Sequence, residues 1–103
     1  MWADRANLTV GVQYSKGHGL VDNIALVDAG GELNVSVTSD GAAIRQVKIV
    51  DENRNIVYDS GLMSGGVSWS RRVPVEPMHR FTVYAVDADG DVAMFELDTS
   101  AGL

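Results

Sequence analysis

Three aspartates alternate with other residues between two apolar runs near the end of the chain, at Asp87, Asp89 and Asp91, with Gly90 among them. Closely spaced carboxylates suit Ca²⁺, which binds six to eight oxygen ligands. An EF-hand loop would also need a glycine at its sixth position and a distal glutamate, and neither is present here. Asp and Gly also tolerate the positive φ angles of tight turns. The sequence therefore predicts a hairpin turn, with a calcium site at Asp87, Asp89 and Asp91 as the alternative.

The other residue types that carry chemistry are scattered along the chain. His18 and His79 fall in different predicted loops, each without a second ligand at metal-binding spacing. No serine lies in a Gly-x-Ser-x-Gly elbow, and the absence of cysteine excludes disulfides and thiolate ligands. We therefore expect no catalytic site, no cofactor and no enzymatic activity.

The aromatic residues raise the question of sugar binding, which uses exposed rings. Trp69 has the same strand parity as Val67 and is predicted to lie in the core. Tyr84 lies on the opposite face of its strand from Phe81, so it is predicted to be exposed. Tyr58 and Tyr84 are the candidate ligand contacts.

Strict alternation of apolar and polar residues predicts the elements that position these side chains. Leu8, Val10, Val12 and Tyr14 fall on one side of the first such segment. A period of two indicates a strand with one buried and one solvated face. The predicted strands cover residues 7–14, 32–39, 46–50, 55–58, 67–75, 81–86 and 92–97, with a short edge strand or irregular crossing over 20–27. Loops or turns are predicted over 15–19, 28–31, 51–55 and 87–91.

Seven or eight strands with turns about every 8–12 residues are typical of a two-sheet antiparallel sandwich. We therefore predict an all-β fold, a sandwich of two antiparallel sheets with seven or eight strands. The predicted core comprises Leu8, Val10, Val12, Leu33, Val35, Val37, Val47, Ile49, Trp69, Phe81, Val83, Ala85, Phe95 and Leu97.

Length and charge limit the classes of partner. The 103 residues fit one domain, residues 1–103, which we expect to be excised from a larger protein. A net charge of −6 disfavours nucleic acids and anionic lipids. No apolar run approaches the roughly 20 residues of a membrane span, and the first residues do not form a signal peptide.

The pattern Val75-x-Pro77-x-x-x-Phe81-x-Val83-x-Ala85, followed by Asp87-Ala-Asp-Gly90, resembles fibronectin type III and related bacterial immunoglobulin-like domains. Phe81 stands where those families often place a tyrosine whose hydroxyl bonds back to the preceding corner. The strand pattern is also similar to a β-domain that follows the catalytic domain in some bacterial PHP-type metallohydrolases, whose metal ligands would lie in another domain.

These resemblances imply a non-catalytic accessory, spacer or interaction domain of an exported bacterial protein, extracellular or on the cell surface. Its expected partner is a neighbouring domain or another protein. The alternatives are a carbohydrate-binding module and a domain that assembles by sharing a strand. We expect an exposed apolar interface around Trp2, residues 20–27 and Met63.

Overall fold

The computed structural model describes residues 7–18, 28–63, 66–76 and 79–99, and for residues 16–18 and 28–30 it describes the backbone alone. Alternation of apolar and polar residues produces β-strands in these segments, because each strand buries one face and exposes the other. The strands are Leu8–His18 (β1), Asp28–Ser39 (β2), Ile44–Val50 (β3), Ile56–Asp59 (β4), Ser68–Val75 (β5), Arg80–Asp87 (β6) and Val92–Asp98 (β7).

The strands form two sheets, and every pairing is antiparallel. One sheet has three strands in the order β1-β2-β5, and the other has four in the order β4-β3-β6-β7. The predicted all-β sandwich is therefore confirmed. No helix that could span a bilayer occurs in the described ranges.

The core lies between the sheets and is built from the inward-facing residue of each alternating pair. In β2 and β6 the pattern is almost uninterrupted, because both strands have a neighbour on each side. The buried apolar residues are Leu8, Leu33, Val35, Val37, Ile44, Val47, Ile49, Val73, Val75, Phe81, Val83, Ala85 and Ala93. Nine of the predicted core residues are in this set.

The prediction that Phe95 is buried in the core is wrong. Phe95 faces inward but remains 38% exposed, because β7 is an edge strand. Four further predicted core residues pack against the core but are only partly buried, and all of them also lie on edge strands: Val10, Val12, Trp69 and Leu97. Parity predicts which face of the sheet a side chain lies on. How deeply that side chain is buried depends on whether its strand is central or at the edge of the sheet.

Residues 15–18 and 28–31, predicted to be loops or turns, lie instead in the antiparallel strands β1 and β2. Strand β1 continues to His18, and β2 already begins at Asp28, with Ser15 opposite Glu32 and Lys16 opposite Gly31. Pairing between the two strands extends the ladder through residues whose own preference is for turns. Arg71 and Arg72 lie in the middle of β5. The strand or crossing predicted over 20–27 lies outside the described residues.

Candidate functional site

The outer face of the four-stranded sheet carries a contiguous group of apolar side chains. Tyr84 lies opposite Lys48 on one side and Met94 on the other, and Val86 lies opposite Val92 in the adjacent row. The group spans all four strands, and we call it the apolar patch: Val50, Ile56, Tyr84, Val86, Val92 and Met94.

Three members of the patch are among the most exposed large apolar residues. Ile56 is 58% exposed, Met94 46% and Val92 44%. Single exposed apolar side chains are ordinary on protein surfaces, but a contiguous group on a sheet face indicates a contact surface.

A groove across the patch combines Tyr84 with the polar side chains of Gln46, Lys48 and Arg54. Gln46 Nε2 donates a hydrogen bond to Asp59 Oδ1 at 2.8 Å, and the Gly61 amide donates to the same oxygen at 2.9 Å. These hydrogen bonds, with that from Gln46 the largest effect, lower the pKa of Asp59. The groove therefore presents two cations, an amide and an aromatic ring.

Tyr58 and Tyr84, the two aromatic candidates, lie on opposite faces of their sheet. Tyr58 pairs with Ile49 and faces inward, where its ring centroid lies 6.1 Å from that of Trp69. Arg71 Cζ lies 5.2 Å from the Tyr58 ring centroid. These three side chains close the side of the sandwich between the edge strands β4 and β5. The structure therefore leaves Tyr84 on a free sheet face and places Tyr58 within a packed cluster.

The Asp87, Asp89 and Asp91 segment forms the turn between β6 and β7. Asp87 is fully buried, and its Oδ1 accepts hydrogen bonds from the Asp89 and Asp91 amides, both at 2.9 Å. Its Oδ2 is buried without a hydrogen-bond partner. Gly90 has φ +89°, which favours glycine because it has no Cβ.

The turn between β3 and β4 repeats this arrangement without a second or third aspartate. Asp51 Oδ1 accepts from the Asn53 amide at 2.8 Å and from the Asn55 amide at 3.0 Å. Arg54, at the position equivalent to Gly90, has φ +69°. In both turns the carboxylate of the first aspartate accepts hydrogen bonds from the backbone amides two and four residues later in the chain. The bond from Asn55 is the main cause of the lowered pKa of Asp51.

His79 joins the β3–β4 turn to the start of β6. Its Nδ1 lies 2.9 Å from Glu52 Oε2, and the Arg80 amide donates to Glu52 Oε1 at 3.1 Å. The hydrogen bond with Glu52 raises the pKa of His79 above 6.5. The pKa of Glu52 falls below 4.5, first through its own backbone amide and then through His79. This ion pair holds two chain segments together.

Within residues 7–18, 28–63, 66–76 and 79–99, no three His, Cys, Asp or Glu side chains converge on a point that could hold a metal ion. The reactive side chains in these ranges instead occupy turns and surface pairs. The Ser60 hydroxyl, for example, accepts a hydrogen bond from the Val47 amide at 2.9 Å and donates one to the Gly61 carbonyl at 2.7 Å.

Sequence reasoning missed the patch and placed the exposed apolar surface elsewhere. Met63 is half-buried against the core, while Trp2 and residues 20–27 lie outside the described residues. A usable signal was present in β6 and β7, where Val83-Tyr-Ala-Val86 and Val92-Ala-Met-Phe95 are apolar at both parities. A continuous apolar run in a strand indicates that both of its faces are available for burial.

No protein-family model matches the chain, and no curated protein matches it.

Proposed function

We propose that the chain is a fibronectin type III-like, non-catalytic interaction domain of a larger exported bacterial protein. Its docking surface is the apolar patch, and its partner is a neighbouring domain of the same polypeptide. The observation that carries this proposal is the contiguous apolar surface spanning all four strands of one sheet, with Ile56, Val92 and Met94 exposed.

The topology supports the fibronectin-like part of the proposal. The first, second and fifth strands form one sheet, and the remaining four form the other, in an arrangement that resembles the fibronectin type III sandwich. Phe81 lies fully inside at the start of β6, where the related domains often place a tyrosine. The resemblance to bacterial immunoglobulin-like domains is also the basis for the exported location.

The distribution of polarity favours docking through this sheet. The outer face of the three-stranded sheet bears mainly serine, threonine, asparagine and glutamine, so it is well hydrated. The outer face of the four-stranded sheet carries the valine, isoleucine, methionine and tyrosine side chains of the apolar patch, alongside polar residues that include Gln46, Lys48, Thr82 and Glu96. Burying the apolar side chains contributes about 25 cal/mol per Å² of apolar surface, which makes this the more favourable face for association.

Met94 provides a direct test, because peroxide oxidises methionine according to its exposure. We expect Met94 to be oxidised several-fold more slowly in the longer parent protein than in the isolated chain. Met63, half-buried on the core, serves as the internal control for an unchanged fold. Equal oxidation of Met94 in both proteins would contradict the docking proposal.

A matched pair of surface variants separates docking from stability. Met94→Lys places a charge in the patch, whereas Thr38→Lys places one on the exposed outer face of the other sheet. We expect Met94→Lys to expose the neighbouring domain's interface in the parent protein. Thr38→Lys should leave that interface protected. The same effect from both would indicate a general response to charge and would refute the role of the patch.

A carbohydrate-binding role is the second candidate, favoured by the groove that surrounds Tyr84 with Gln46, Lys48 and Arg54. An aromatic face with adjacent hydrogen-bond donors can stack on and orient a sugar ring. A glycan array would test it: binding that is lost in Tyr84→Ala and retained in Tyr58→Ala would replace the docking proposal. An absence of binding on the array would exclude the carbohydrate-binding role.

A further inference from the structure

Strand β1 is an edge strand of the three-stranded sheet. Within the described part of the chain β1 pairs with β2 alone. The Asp40 amide donates to the Asn7 carbonyl at 3.1 Å, so the odd-numbered residues of this segment bond to β2. In an antiparallel ladder the alternate residues direct their amides and carbonyls to the other side. The main-chain groups of Val10 and Val12, both half-buried, therefore point towards the free edge.

The other three edge strands carry features that discourage pairing. Strand β5 contains Arg71, Arg72 and Pro74, and Pro74 has no amide hydrogen to donate. Strand β4 has only four residues, and β7 ends in Glu96, Leu97 and Asp98. Short length, charge and proline are the usual means of blocking sheet extension. By contrast, residues 8–15 of β1 include no charged residue and no proline.

The free edge of β1 adjoins apolar surface from the opposite sheet. Phe95, the exposed inward-facing residue of β7, lines the same open groove as Gly11, Val12 and Gln13. A strand added along β1 would extend the sheet and cover this ring, so hydrogen bonding and apolar burial would act together.

We propose that this edge binds a second copy of the chain, with the two β1 strands antiparallel about a two-fold axis at Gly11. Val10 of each copy then lies opposite Val12 of the other and exchanges two main-chain hydrogen bonds with it. A two-fold interface requires a self-complementary surface, and this segment satisfies that requirement. Its inward side chains are apolar, its outward side chains are uncharged, and no like charges oppose each other.

Gly11 fits the position on the axis. Its main-chain groups bond to β2, so the two copies of Gly11 would form a non-hydrogen-bonded pair, in which Cα atoms are about 4.5 Å apart. Gly11 has no side chain to crowd this close approach. The pairing joins the two three-stranded sheets into one continuous six-stranded sheet, and it leaves the apolar patch uncovered.

Proline substitutions test the edge in the full chain. Val10→Pro removes an amide that points away from β2, and Ser70→Pro removes the equivalent outward amide on the opposite edge strand β5. We expect sedimentation equilibrium to show a dimer whose dissociation constant rises at least about tenfold in Val10→Pro. Ser70→Pro should stay within about twofold of the parent chain. Monomeric behaviour of the parent chain, or equal weakening by both prolines, would overturn the proposal.

A cysteine scan provides a readout that does not depend on how well proline is tolerated. The chain has no cysteine, so each substitution introduces a single thiol. The close approach expected at the axis matches the Cα separation of a disulfide, 4.4–6.8 Å in general. Gly11→Cys should therefore form a covalent dimer under mild oxidation, and Ser70→Cys should remain monomeric under the same conditions. Failure of Gly11→Cys to cross-link, or equal cross-linking of both, would refute the Gly11-centred pairing.

Discussion

Trp69 and Tyr58 close one side of the sandwich, and the structure indicates how much that closure contributes to stability. A large aromatic side chain buries about 150–250 Å² when fully enclosed. Trp69 is partly buried, so about 100 Å² leaves water, equivalent to about 2.5 kcal/mol at 25 cal/mol per Å². The tilted contact with Tyr58, at 6.1 Å and 38°, adds about 0.5–1.5 kcal/mol. We therefore expect Trp69→Ala to cost about 3–4 kcal/mol.

A double-mutant cycle isolates the contact between the two rings. Urea unfolding followed by circular dichroism would be measured for the parent chain, Trp69→Ala, Tyr58→Ala and the double variant. We expect a coupling energy of about 0.5–1.5 kcal/mol. Arg71→Ala is the matched control, because it removes the cation over Tyr58 and leaves the two rings in place. A coupling energy indistinguishable from zero would refute the proposed closure, and a cost above about 5 kcal/mol for Trp69→Ala would place that ring in the closed core.

Three further predictions concern the turns. The raised pKa of His79 means that, while Glu52 is ionised, its pair with Glu52 stabilises the fold fully below pH 6.5 and progressively less as pH rises through the folded pKa. The Tm difference between the parent chain and His79→Gln should therefore be larger at pH 6 than at pH 9, and an unchanged difference would contradict this. Asp87→Ala should lower the unfolding free energy by about 2–4 kcal/mol in urea titrations. Asp87→Asn should lower it by less, because asparagine keeps the oxygen that accepts hydrogen bonds from two backbone amides. Arg54→Gly should stabilise the chain by about 1 kcal/mol, because glycine adopts the positive φ of this position without strain. Gly90→Ala should destabilise the chain by a similar amount for the converse reason. Effects of the opposite sign in thermal melts would refute the strain argument.

The sequence predicted the parts of the fold that depend on local pattern. Alternation in β2 and β6 identified both strands and the direction of each side chain, because a strand with two neighbours buries one complete face. The two hairpins at Asp51 and Asp87 were also correct, because an aspartate at the start of a turn bonds to amides within the next four residues. These features require no knowledge of sheet order.

The errors arose where position in the sheet decides the outcome. Phe95 has the parity of a core residue, yet it is exposed because β7 is an edge strand. Lys16 and Gly31 were predicted to lie in loops or turns, yet they lie in strands because they pair with each other across the ladder between β1 and β2. The apolar patch was missed for a related reason. Val86, Val92 and Met94 become neighbours only through the register between strands, which alternation alone does not specify.

The two proposed surfaces are compatible because they occupy different parts of the sandwich. The edge of β1 belongs to the three-stranded sheet, whereas the apolar patch covers the outer face of the other sheet. Pairing through β1 joins sheets side by side and leaves both outer faces free. A dimer formed in this way would therefore present two copies of the patch, and two neighbouring domains could dock at once. Met94→Lys should consequently leave the dissociation constant of the dimer unchanged, and Val10→Pro should leave the peroxide protection of Met94 in the parent protein unchanged. If either variant disturbs the other surface, the two contacts are coupled, and their assignment to separate surfaces is wrong.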